Sequence, residues 1–202
     1  GHVRVSPQYA EELSKRSPIV ANASRAVNEE LAKAERELAL PAIERNASAL
    51  LERSQDGLPS DEQRRLARQD AESLNVLPEG SEKRFGAAVV GDNARSYPAY
   101  RDELQRIAPS VARDAEAAVV ERNSLRGIET RSDELSVLPR DALSVAEARN
   151  AVRQDVEASV AINKDEVARF RAVVALGENA RSQVSYRAEL EIQAPELAKE
   201  AQ

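Results

Sequence analysis

One pattern, Y-x-x-E-L-x-x-x-x-P-x-[VL]-A, occurs three times in this chain, and it constrains the fold more than any other feature. The copies begin at Tyr9, Tyr100 and Tyr186, so they stand 91 and 86 residues apart. In each, Tyr and Leu lie at i and i+4: Tyr9 with Leu13, Tyr100 with Leu104, Tyr186 with Leu190. That spacing puts both on one face of an α-helix. The Pro that follows cannot sit inside the same helix, but it fits the first turn of the next. A chain that restarts helices in this way three times reads as two tandem helical units closed by a last copy of the motif, with unit 1 over 1–109 and unit 2 over 110–202.

The intervening sequence agrees. Ser6-Pro7 reads as a helix start, and Pro18 interrupts that helix or opens the next. Val20, Ala23, Val27, Leu31, Ala34 and Leu38 recur at helical spacing, and Pro41 is expected to end or kink that helix. Ser60 with Gln63, Ser144 with Glu147, and Asn163 with Glu166 have the spacing of N-terminal capping boxes. A helix is expected from Val111 to about Leu125, with Gly127 near its end. Further segments repeat between the units. Arg68-Gln69-Asp70 returns as Arg153-Gln154-Asp155, and Arg84-Phe85 as Arg169-Phe170. Asn93-Ala94-Arg95-Ser96 returns as Asn179-Ala180-Arg181-Ser182. Glu44-Arg45-Asn46 is echoed by Glu121-Arg122-Asn123 at the shorter offset of 77. No alternation of β-branched and aromatic residues, and no hairpin turn between apolar runs, competes with this reading. The expected fold is all-α: elongated, antiparallel bundles of about four helices each, joined by short loops.

Composition narrows the chemistry. Of 202 residues, 42% are hydrophobic and 32% charged, but only 3% are aromatic, with no Cys, Met or Trp. The interior must therefore be Ala, Leu, Val and Ile, whose small side chains let helices approach closely. The single His is His2, beside Gly1; the pair reads as a remnant of tag removal, and the chain as a piece of a longer protein. Without another His or any Cys, Ser-His-Asp and Cys-His catalysis and an E-x-x-H metal motif are excluded. No phosphate-binding glycine loop is present. No cofactor is expected, and the chain does not read as an enzyme. A net charge of −6 argues against broad binding of nucleic-acid phosphates. No apolar run is long enough to enter and cross a bilayer.

Two sets of residues are candidates. Tyr9, Leu13, Tyr100, Leu104, Tyr186 and Leu190 are read as packing at the junctions between units, with the hydroxyls at the rim. Phe85 and Phe170 are read as plugs of the core. The arginines Arg84, Arg95, Arg169 and Arg181 occupy matching places in the two units and are the candidate partner-binding residues.

The segment Leu77-Pro78-Glu79-Gly80-Ser81-Glu82-Lys83-Arg84-Phe85-Gly86-Ala87-Ala88-Val89-Val90-Gly91-Asp92-Asn93-Ala94-Arg95-Ser96, with its repeat from Arg169 to Ser182, resembles the BID domain. That is the helical delivery module of Bartonella effector proteins and of conjugative relaxases, and the Arg- and Ala-rich style here looks like the relaxase branch. The resemblance covers about twenty residues in each unit; the acidic balance of this chain departs from the family's basic patches. It implies an elongated antiparallel four-helix bundle. It implies a translocation signal region of a larger bacterial conjugation or secretion substrate, recognised by a type IV secretion system and its coupling protein. The location implied is the bacterial cytoplasm, or the destination of translocation. The alternative is a structural spacer or scaffold holding flanking domains apart.

Overall fold

The structure is a computed structural model that describes residues 18–52, 57–162 and 166–202, with side chains described from Ala26 onward. Expectations for Ser6-Pro7, Tyr9, Leu13, the side chains of Val20 and Ala23, and the Asn163–Glu166 box lie outside the described residues. Within them every regular element is a helix: α1 Pro18–Glu52, α2 Ser60–Val76, α3 Ser81–Ser96, α4 Pro98–Ile107, α5 Pro109–Ser136, α6 Val145–Ala161, α7 Glu166–Ser182, α8 Val184–Gln193 and α9 Pro195–Glu200. The all-α expectation holds.

The chain divides into two compact units. Among the described residues, unit 1 holds 18–86 and 93–108, and unit 2 holds 87–92 and 109–202. The division falls at Ala108–Pro109, where the sequence reading put it after Pro109, and the middle of α3 goes with unit 2. In unit 1, α2 packs on α1 and on α4. In unit 2, α5 packs on α6 and α7, α8 packs on α6 and α7, and α9 lies against α8 and α7.

The prolines of the motif do what was expected of them. Pro109 and Pro195 each open a helix directly after an alanine in an extended-side conformation, Ala108 at φ −143°, ψ 67° and Ala194 at φ −146°, ψ 70°. Each alanine N–H still donates to the carbonyl of the motif leucine, Leu104 or Leu190, at 2.9 Å. One hydrogen bond thus closes the old helix while the proline starts the new one.

Two helix boundaries differ from the sequence reading, and of its two alternatives for Pro41 the helix end is not found. Pro41 lies inside α1, which runs on to Glu52. Its ring is exposed, while Ala39, Ile43 and Leu50 on either side of it are buried. Burying large apolar side chains at about 1.5–3 kcal/mol each offsets the lost backbone bond, which costs about 3 kcal/mol or more. Likewise α5 continues through Gly127 to Ser136, because Leu125, Ile128, Ser132 and Leu135 extend the buried stripe. The Ser60–Gln63 capping box does not form. Pro59 is the N-cap, its carbonyl accepts from the N–H groups of Glu62 and Gln63, and the Gln63 side chain turns inward to donate to the Leu58 carbonyl at 3.0 Å. The Ser144–Glu147 box does form, with Ser144 N–H donating to Glu147 Oε2 at 3.0 Å and Glu147 N–H to Ser144 Oγ at 3.3 Å.

Candidate functional site

The two motif tyrosines among the described residues are not at a rim. Tyr100 and Tyr186 are fully buried, and each hydroxyl donates to a buried aspartate at 2.6 Å: Tyr100 to Asp70 in unit 1, Tyr186 to Asp155 in unit 2. Leu104 and Leu190, one turn on, are buried in the same interiors. These contacts join helices within a unit, α4 to α2 and α8 to α6. The motif glutamates Glu103 and Glu189 are buried as well. Glu103 accepts from Arg68 at 2.6 Å and Arg106 at 2.7 Å, and Glu189 accepts from Arg149 at 3.1 Å. Arg106 first, then Arg68, hold the Glu103 carboxyl down at about 2. Arg149 and Gln193 hold Glu189 below its ordinary range.

Around each aspartate the partners correspond, with one exception. Asp70 also accepts from Asn46 Nδ2 at 2.6 Å, and Asn93 lies beside it without an aligned hydrogen bond from its Nδ2. Asp155 accepts instead from the Arg131 guanidinium, with Asn179 placed as Asn93 is. Arg131 therefore faces Asp155 as Asn46 faces Asp70. The offset between these two positions is 85, and the echo at 77 that singled out Asn123 does not describe the packing. Electrostatics follow the exchange. Burial pushes the Asp70 carboxyl up to about 6, against the lowering effect of Tyr100, Asn46 and Asn93. Burial raises Asp155 too, but there the Tyr186 hydroxyl and Arg131 oppose it. Both tyrosines titrate above their ordinary range, through burial first and the adjacent carboxylate second. Sequence reading quoted Asp70, Asp155, Asn93 and Asn179 as repeated letters but assigned them no role. A carboxylate and a phenol side by side have acid–base potential, yet both are sealed from solvent, so this cluster is a clamp between helices.

The phenylalanines are outside. Phe85 is 48% exposed and Phe170 68% exposed, contrary to their reading as core plugs. The buried side of α3 is made of Gly86, Ala87, Ala88, Val90 and Gly91. Helices approach so closely there that a Cβ on Gly91 would stand 2.5 Å from the Ala115 carbonyl oxygen and from Val119 Cγ2. A Cβ on Gly177 would collide with the Ala201 carbonyl in the same way. An aromatic ring has no room on that side.

The four candidate arginines are distributed along two helices. Arg84 is in the first turn of α3 and Arg95 in its last; Arg169 and Arg181 are similarly placed in α7. At about 1.5 Å rise per residue, roughly 16–18 Å separates the two in each helix. Each pair therefore lies at opposite ends of one helix and forms no single anion-binding spot. Arg84 and Arg95 are not free cations. Arg169 pairs with Glu200 at 2.8 Å beside a groove of about 440 Å³ lined by Val160, Ala172, Val173 and Leu197. Arg95 and Arg181 complement the negative end of their helix dipoles. A second groove, of about 240 Å³, runs between α5 and α7 with Phe170 and Val174 exposed beside Glu129, Asp133 and Glu178.

Among the described residues no group of His, Cys, Asp or Glu could hold a metal ion, and no helix is long and apolar enough to cross a membrane. Comparison with family models, curated proteins and solved structures finds no match.

Proposed function

We propose that the chain is a non-enzymatic helical module that partners dock onto, built as two similar bundles in tandem. The observation that carries this reading is the pair Phe85 and Phe170. They are the only phenylalanines in the chain, they stand at matching places, and both are exposed. Large aromatic side chains in contact with water are what a partner's pocket takes up. Each follows an arginine, Arg84 or Arg169, which already has a partner within the chain. The specific form of the function is a translocation signal region of a bacterial secretion or conjugation substrate, docked by a type IV coupling protein. Its support is the resemblance of the Leu77–Ser96 segment and its repeat.

The test is transfer of a fused reporter by cells carrying a type IV system. Phe85→Ser with Phe170→Ser, and separately charge reversal at Arg95 and Arg181, are expected to cut transfer by about tenfold or more, with helicity by circular dichroism unchanged. Normal transfer by the folded variants refutes the docking role. A spacer would behave in the opposite way, tolerating these changes but not a flexible insertion between the units.

A further inference from the structure

We propose that the N-terminal half of α1 is a docking seam for a helix of another protein whose own apolar seam is flanked by lysine or arginine. The proposal uses neither phenylalanine and stands apart from the reading above.

Val27, Leu31, Ala34 and Leu38 follow one another at intervals of four, three and four, the spacing of a coiled-coil seam. All four are exposed; Val27 is 59%, Leu31 52% and Leu38 61% accessible. They are not a continuation of the face that α1 turns to its own unit. That face carries Ala39, Ile43 and Leu50, and at about 100° per residue it lies roughly 130° around the helix from the seam. α2, at 17 residues, is half the length of α1 at 35, and the α1 residues it buries lie in the C-terminal half. Among the described residues α1 therefore has two apolar faces, one packed and one exposed.

The charges beside the open face identify its occupant. Glu30 and Glu37 flank the seam on one side and Glu35 on the other, while Lys33 and Arg36 fall on the far side of the helix. A second copy of this chain would set Glu against Glu across the seam in either orientation, which is destabilising. An anionic membrane or a nucleic acid is repelled by the same carboxylates. A helix with basic flanks meets both the apolar stripe and its acidic border.

The probe is a labelled synthetic peptide of three heptads with Leu at the seam positions and Lys at the flanks, and its twin with Glu at the flanks. Fluorescence anisotropy with the full chain is expected to show binding of the Lys peptide that weakens with salt. Leu31→Asn with Leu38→Asn should weaken it about tenfold or more, as loss of two buried leucines requires. Glu30→Lys with Glu37→Lys should transfer the preference to the Glu peptide. Equal binding of both peptides, or binding indifferent to the leucine substitutions, overturns the proposal. So does sedimentation showing a dimer that the leucine substitutions dissolve, which makes the occupant a second copy. A lower melting temperature for the leucine variant also overturns it, since the seam would then be covered by the chain itself.

Discussion

Asp70 and Asp155 occupy the same place in their units, and one neighbour separates their chemistry. Asp155 has the Arg131 guanidinium, whereas Asp70 has the neutral amide of Asn46. A carboxyl whose folded pKa is raised from 3.8 to about 6 binds its proton more tightly in the folded chain than in the unfolded one. Its contribution to stability is therefore greatest below about pH 4, falls as pH rises to about 6, and stays low above, a swing on the order of 3 kcal/mol. Set against Asp70→Asn, which cannot titrate, the wild-type chain should lose about that much stability in urea unfolding between pH 4 and pH 7. Asn46→Arg should remove most of the loss by supplying the cation that unit 2 has. If Asn46→Arg leaves the pH profile unchanged, Asn46 is not what distinguishes the two sites. Asp155→Asn is the converse case. It strands a largely buried Arg131 and is expected to destabilise by about 3 kcal/mol at pH 7, read by the same titration.

At the scale of the helix, spacing was legible in the sequence and facing was not. The motif placed helices α4 and α8 and the prolines that open α5 and α9, because Tyr–Leu periodicity and Pro at a helix start are local properties. The interior of α3 was misread because Phe85 is large and its neighbours small. Which side is buried depends on how closely α5 approaches, and that is set by Gly91 meeting the Ala115 backbone rather than by hydrophobicity. Gly127 was misread for the same reason, and Pro41 does not end its helix: tertiary burial outweighed a local helix breaker. The candidate arginines were found as repeated letters, and their spacing of 11 and 12 residues on one helix already placed them roughly 16–18 Å apart; what the letters could not give is the ion pair of Arg169 with Glu200. The two glycines give a paired prediction. A Cβ at Gly127 meets nothing within 4 Å, so Gly127→Ala should raise stability by about 1 kcal/mol. Gly91→Ala should lower it by about 1–3 kcal/mol, since backbone atoms cannot yield to the added methyl. Thermal melts of the two variants check both signs.

For the whole chain, each unit has its own interior. Unit 1 is built around Ile43, Leu50, Leu66, Leu74, Tyr100 and Leu104, and unit 2 around Leu125, Ile128, Val152, Leu176, Tyr186 and Leu190. Leu104→Ala and Leu190→Ala should each cost about 2–5 kcal/mol locally. Amide hydrogen exchange should rise in α2 and α4 for the first and in α6 and α8 for the second. Exchange that rises equally throughout would mean that the units unfold as one.

Chains that carry the same helix pattern more than once run a particular risk while folding, because a helix can be taken up by the wrong bundle. Tyr100 and Tyr186 are alike in this respect, since each meets an aspartate in its own unit. Asn46 and Arg131 are not. If α5 were paired with α2, Asp70 would receive a guanidinium, but Asp155 would be left with the weaker amide of α1. Exchange would therefore move the one charged partnership from Asp155 to Asp70 without changing how many are made. The unequal clamp would thus record which long helix had gone to which bundle, because the aspartate left with the amide is the one without a cation.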